Sequence, residues 1–211
     1  MSQSATLGPG SGYDANLGHR MERSAVLSVA MWIFILVAST LFGLFLAALV
    51  MRMTAPDWAQ VGMPWQLWLS SSILLAGSAS FQASGFAART AQLTRARVLL
   101  SLAGFCALAF LLAQLWAWQV LRSMQVTANG NPAGSFFYLL TAMHGLHVIG
   151  GLICWFLVMR FAMRSQDSAG MSWRIALCAR YWHFLLLLWI VLFAALNWLT
   201  PELVRYICGI R

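Results

Sequence analysis

Two histidines, His144 and His147, sit three residues apart inside one long apolar run, and a third, His183, sits in another as part of Tyr181-Trp182-His183-Phe184. His144 and His147 would share one face of a helix. Ionisable groups inside apolar spans are functional suspects. Three kinds of chemistry are open to them. Imidazole ligates haem iron and transition metals. It also relays protons. Its ring N–H can instead hold helices together by bonding to backbone or side-chain acceptors.

The elements that must carry these rings are five apolar runs, at about 25–51, 65–88, 98–121, 136–159 and 176–199. Each is long enough for a helix to cross the hydrocarbon core of a bilayer, which takes about 20 residues. They are too long and too continuously apolar for barrel strands. The chain is 61% hydrophobic and 9% charged, whereas a soluble domain carries roughly 25% charged residues. These features predict an all-α, polytopic membrane protein built as a bundle of five transmembrane helices. The domain plan is a flexible cytoplasmic tail over 1–24, a transmembrane domain over 25–204 and a short periplasmic tail over 205–211.

On these elements a bis-histidine haem fits poorly. His147 would lie ~16 Å from the outer end of its helix and His183 ~10 Å from the inner end of its own, a mismatch of several ångströms. No Cys, Met or carboxylate completes a metal set nearby. A proton relay wants neighbouring carboxylates. The five acidic residues, Asp14, Glu22, Asp57, Asp167 and Glu202, all fall outside the runs. Spacing alone favours the structural role.

All 13 basic residues are Arg and the net charge is +8. They flank the runs and form no stripe with loop aromatics, so nucleic acid is not expected as a partner. Nine arginines (Arg20, Arg23, Arg89, Arg95, Arg97, Arg160, Arg164, Arg174 and Arg180) fall on one side and four (Arg52, Arg122, Arg205 and Arg211) on the other. That imbalance puts the amino terminus in the cytoplasm and the carboxyl terminus outside. No removable signal peptide is expected. Cys106, Cys154, Cys178 and Cys208 show no CxxC spacing and read as small buried apolar residues.

The second run is the least lipid-like. Its Ser72, Ala76, Ser80, Ser84 and Ala88 repeat every four residues, and Ala109, Ala113 and Ala117 follow the same rhythm in the third. Small ridges of this kind let helix backbones approach closely. A polar conduit along the second helix is the other reading of its many serines, and a small transporter or channel would follow from it.

The run Phe137-Tyr138-Leu139-Leu140-Thr141, followed by His144-Gly145-Leu146-His147-Val148-Ile149-Gly150-Gly151, resembles the signature of subunit III of haem–copper terminal oxidases. Tyr181-Trp182-His183-Phe184, with Trp189 and Phe193, is similar to that family's last-helix signature. Trp32-Ile33-Phe34, Ala38-Ser39, Ser71-Ser72 and Phe110 with Gln114 fit more weakly. The resemblance covers about residues 25–200, and the five-helix plan is like that of the shorter bacterial members.

The resemblance implies a non-catalytic subunit in a bacterial inner membrane, within a complex that reduces oxygen to water. Haem and copper would belong to its partner, catalytic subunit I. This chain would hold no cofactor of its own and would bind phospholipid. His144, His147, Tyr181, Trp182 and His183 would then be structural and lipid-contacting positions. An accessory subunit of a nitric-oxide-reductase-type complex is the alternative. The electron donor, cytochrome c or quinol, is not legible. The sequence departs from the family pattern at Thr40, Ala117 and Leu186, where the family usually has acidic residues. That removes an intramembrane proton-handling role from those positions.

Overall fold

Asn131 opens a helix by accepting from the backbone N–H of Ala133 at 3.0 Å, and Pro132 follows in the position where a missing N–H costs nothing. Asp167 does the same for the last helix, accepting from the N–H groups of Ala169 and Gly170, both at 3.1 Å. The computed structural model describes residues 11–53, 58, 62, 64–126 and 131–200, with side chains described from Ser24 onward. These form α1 (Ser11–Arg52), α2 (Gln66–Arg89), α3 (Leu93–Ser123), α4 (Pro132–Arg164) and α5 (Ser168–Trp198). Among the described residues there is no strand.

The helices sit where the apolar runs lie but extend beyond most of them. The largest difference is α1, which reaches back to Ser11, so residues 11–24 are helical where a flexible tail was expected. After Pro9 the sequence offers no further proline before Ser24, and Gly12 and Gly18 in that stretch weaken a helix without breaking it. Residues 1–10 and 201–211, with Cys208 and Glu202, lie outside the described residues, as does Asp57.

The chain divides into two compact units after Ala38. The first carries the amino-terminal part of α1. The second carries its remainder with α2–α5. In the second unit Phe42, Leu49 and Met53 of the α1 end pack with Leu140 of α4 and Leu188 and Leu192 of α5.

Helices α2 and α3 are joined by a tight reversal. Ala91 adopts φ 56°, Gln92 N–H donates to Ala87 O at 2.9 Å, and Ala91 N–H to Ala88 O at 3.2 Å. This is a Schellman cap with alanine at the left-handed position that usually takes glycine. The end of α3 repeats it with Gln125 at φ 60°.

Four helices, α1 from Ser24, α3, α4 and α5, are long and apolar enough to cross a membrane. Helix α2 falls short of that by composition, and its contacts give the reason. It runs antiparallel to α5, with Trp68 on Phe193, Ser71 on Trp189, Phe81 on Trp182, and Gly85 facing Ile175. Those pairs span ~26 Å of helix. Its serines other than the exposed Ser72 turn inward, where they are bonded, and a helix so placed needs less apolar surface.

The packed faces follow a seven-residue rhythm. On α2 the buried line is Leu67, Ser70, Leu74, Gly77, Phe81, Ser84 and Ala88. On α3 it is Ala96, Leu100, Ala103, Ala107, Phe110, Gln114, Ala117 and Leu121. On α4 it runs Phe137, Thr141, His144, Val148 and Gly151, and on α5 Met171, Ile175, Cys178, Trp182, Leu185, Trp189 and Leu192. Alternating steps of three and four keep one seam facing a neighbour in a left-handed bundle.

The expected ridge at every fourth residue is therefore corrected. Ser72 and Ala76 are exposed, and only Ser80, Ser84 and Ala88 of that row are buried. A step of four turns the side chain about 40° further round the helix, so such a row leaves any one face within a few turns. On α3, Ala113 and Ala117 are buried and Ala109 is half-buried.

The outward faces are apolar. Leu112 of α3 is 66% exposed, Ile153 of α4 61% and Leu187 of α5 63%. That is the pattern of a helix bundle solvated by lipid, where every backbone polar group is bonded within its own segment.

Candidate functional site

The alternating helices bring the α2–α3 turn and the α4–α5 link to one end. Arg97 joins them, donating Nε–H to Ala162 O at 2.8 Å and an Nη2–H to Ser165 O at 3.1 Å. A guanidinium on the last carbonyls of α4 meets the negative end of that helix. Arg174 lies over the ring of Phe161 at 4.3 Å at the same end.

Inside the bundle, the five expected site residues do not form one cluster. His144 is fully buried on the α4 seam, boxed by Phe110 of α3 (ring centroids 5.6 Å, 82°) and Trp189 of α5 (5.1 Å, 36°). Neither of its ring nitrogens has a hydrogen-bond partner among the described residues. His147 donates Nδ1–H to Met143 O of its own helix at 2.7 Å, and its ring meets Phe42 edge-on at 5.4 Å.

Tyr181 makes the polar link between α4 and α5. Its hydroxyl donates to His147 O at 2.9 Å. Gly151 permits this approach: a Cβ there would stand 3.0 Å from Tyr181 Cε1 and 3.2 Å from Trp182 Cζ2. Trp182 stacks on Phe81 of α2 (5.1 Å, 21°), and its buried indole N–H has no hydrogen-bond partner among the described residues.

His183 turns the other way, to α2. Its Nε2–H donates to Gln82 Oε1 at 3.1 Å, which leaves Nδ1 to accept from the Ser78 hydroxyl. Tyr181 and His183 thus tie α5 to α4 and to α2 respectively, whereas the ring nitrogens of His144 have no partner among the described residues. Among the described residues no three His, Cys, Asp or Glu side chains converge as a metal set.

A second polar layer includes residues that spacing did not single out. Gln114 Nε2–H donates to Ser70 Oγ at 2.8 Å, and the Ser70 hydroxyl donates on to Leu67 O at 2.9 Å. Trp189 donates to Ser71 Oγ at 2.9 Å and Trp118 to Thr141 Oγ1 at 3.1 Å. Trp155 donates to Leu100 O at 2.8 Å, its ring lying against Gly104. Indole N–H groups need partners when buried. The available signal was the recurrence of Trp, Ser and Gln at matching depths on successive runs.

At the positions where the family pattern has acids, Ala117 is fully buried on the α3 seam, Leu186 is half-buried and Thr40 is exposed. The residues that stand there offer no carboxylate to an internal path.

The sequence matches the family model described as cytochrome c oxidase subunit III over residues 15–200. A probable cytochrome c oxidase subunit 3 of Mycobacterium tuberculosis (strain ATCC 25618 / H37Rv) is 34% identical over 125 residues, 59% of this chain and 61% of that protein. The cytochrome c oxidase subunit 3 of a Synechocystis strain is 32% identical over 170 residues, 76% of this chain and 70% of the relative. The Mycobacterium leprae counterpart is 30% identical over 124 residues. The chain thus spans less than two thirds of the length of the mycobacterial relatives it matches.

Proposed function

The chain belongs to the cytochrome c oxidase subunit III family, and from that premise we propose that it is a non-catalytic accessory subunit of a respiratory haem–copper oxidase. It is an integral, multi-pass membrane protein. In this reading the complex reduces oxygen to water, haem and copper reside in the partner catalytic subunit I, and this chain braces that subunit within a bacterial inner membrane. Helix α2 crosses with the other four. The arginine-rich end faces the cytoplasm, because positive residues are retained there. His144, His147, Tyr181, Trp182 and His183 serve packing and lipid contact.

The observation that carries this reading is the family match over residues 15–200. The side chains are consistent with it. The polar groups of α2 bond to Gln114, Trp189, His183 and the carbonyl of Ala96, so they stitch helices together. A transporter would want such groups lining a water path. That alternative and the nitric-oxide-reductase reading are not favoured by the relatives, which are named as oxidase subunits.

The test is purification of the full-length chain from its own membranes in mild detergent. A haem–copper catalytic chain should copurify at about one to one. The separated chain should show no Soret band. A stoichiometric Soret band on the isolated chain, or a stable existence without any larger neighbour, overturns the proposal.

A further inference from the structure

We propose that the seam between α2 and α3 binds one ordered water molecule, which donates its two hydrogens to the side-chain oxygens of Gln66 and Gln114. Both oxygens are buried and have no hydrogen-bond partner among the described residues. Gln66 is 4% exposed and Gln114 6%. The site lies within this chain, so it stands whether or not the chain assembles with an oxidase.

The hydrogens of this layer can be followed one by one. The Ser70 hydroxyl has a single hydrogen, and it goes to Leu67 O at 2.9 Å. Towards Gln114 the Ser70 oxygen therefore only accepts, at 2.8 Å. That fixes the Gln114 amide with its NH2 on Ser70 and its oxygen on the other arm of the fork. Of the Gln66 amide, too, only the oxygen is buried without a partner. Two acceptors cannot bond to each other. A water molecule supplies a hydrogen to each.

Helix geometry brings both oxygens to one seam. Ser70 meets α3 through Gln114, and Ser71 meets α5 through Trp189. Gln66 stands one turn before Ser70 and about 40° from it, on the side away from Ser71. It therefore faces α3. The edge-on contact of Trp65 with Trp116, at 5.4 Å, sets the start of α2 level with Trp116. Gln114 then lies in depth between Gln66 and Ser70. The fully buried residues beside it on the seam, Ala117 and Ser70, are small. They leave width for a water, whose share of liquid volume is about 30 Å³.

The chemistry favours water over the other candidates. A buried acceptor with no donor is costly in an apolar surrounding, and internal waters are retained where they satisfy roughly two to four such groups. A divalent cation wants about six oxygens, carboxylates among them, and no Asp or Glu falls within the apolar runs.

The test is a high-resolution electron cryomicroscopy map of the full-length chain, purified in mild detergent with the chains that accompany it. A single spherical peak should lie about 2.5–3.0 Å from both Gln66 Oε1 and Gln114 Oε1. Stability gives a second readout. Q66M keeps the length of the side chain and removes the oxygen, so its unfolding equilibrium constant should rise about three- to tenfold. An oxygen left truly unbonded predicts the opposite sign, because its removal would be neutral or stabilising. Q66M/Q114M should be destabilised by less than the two single changes added together, since either one already releases the water. If Q66M fails to fold, the wild-type map decides alone. No peak between the oxygens, a peak bonded to only one of them, a Gln66 amide turned so that its nitrogen bonds Gln114 Oε1 directly, or a Q66M variant as stable as wild type overturns the proposal.

Discussion

The indole of Trp155 on α4 lies across Gly104 on α3 and occupies the space that a Cβ at Gly104 would take. The same ring donates to Leu100 O at 2.8 Å. One glycine therefore sets how closely these two helices approach. G104A should destabilise the fold by about 1–3 kcal/mol through overpacking. Combining it with W155L should recover part of that loss. Denaturant titration in detergent micelles, followed by intrinsic fluorescence, measures both. An unaltered midpoint for G104A would show that the contact is not tight.

His144 and His183 should respond oppositely to leucine. His144 has no bonded ring nitrogen among the described residues and sits among aromatic rings, so H144L removes a desolvated polar group and should be neutral or slightly stabilising. H183L breaks the bonds to Ser78 and Gln82 and should cost roughly 0.6–2 kcal/mol. The comparison is of unfolding midpoints of the two variants. A larger loss for H144L than for H183L would contradict the assignment.

Gln114 and Ser70 couple α3 to α2. A double-mutant cycle on Q114A and S70A should give an interaction energy of about 0.6–1.7 kcal/mol, the range found for buried hydrogen bonds in membrane proteins. Coupling near zero would mean that the 2.8 Å contact is not maintained in the membrane.

Ala91 and Gln125 hold left-handed backbone without being glycine. For residues with a Cβ that conformation costs roughly 1–2 kcal/mol. A91G and Q125G should each raise stability by up to about 1 kcal/mol, since glycine gives back part of the gain as chain entropy. Thermal unfolding in detergent reads the effect, and a lowered melting temperature for both would refute it.

The helices were legible because a bilayer demands long apolar runs, and the described ends fall within about a turn or two of them, except at α1. That exception follows from reading residues 11–24 by flexibility of composition when no proline follows Pro9 before Ser24. The family signatures lie on α4 and α5, yet the contacts their side chains make were hidden. His147 and His144 share a helix face, but the roughly 60° between them turns one towards Phe42 and the other between Phe110 and Trp189. The seam was missed for a related reason. Serines and alanines in α2 suggest several rows at once, and only the neighbours' side chains decide which row is packed. Asp167 showed only as an acidic residue outside the runs, because a cap is defined by the backbone that follows it. The polar partners Ser70, Ser71, Thr141 and Gln114 depend on pairing across helices, which no single run can display.

The alternating spacing of Leu67, Ser70, Leu74 and Gly77 on α2 and of its counterparts on α3 and α5 has a mechanical corollary. A helix sliding past such a neighbour finds its next equivalent register only ~10 Å away, seven residues at ~1.5 Å each. Small creeping displacements therefore have no resting place. Under load or heat, these helices should hold their alignment until they part altogether.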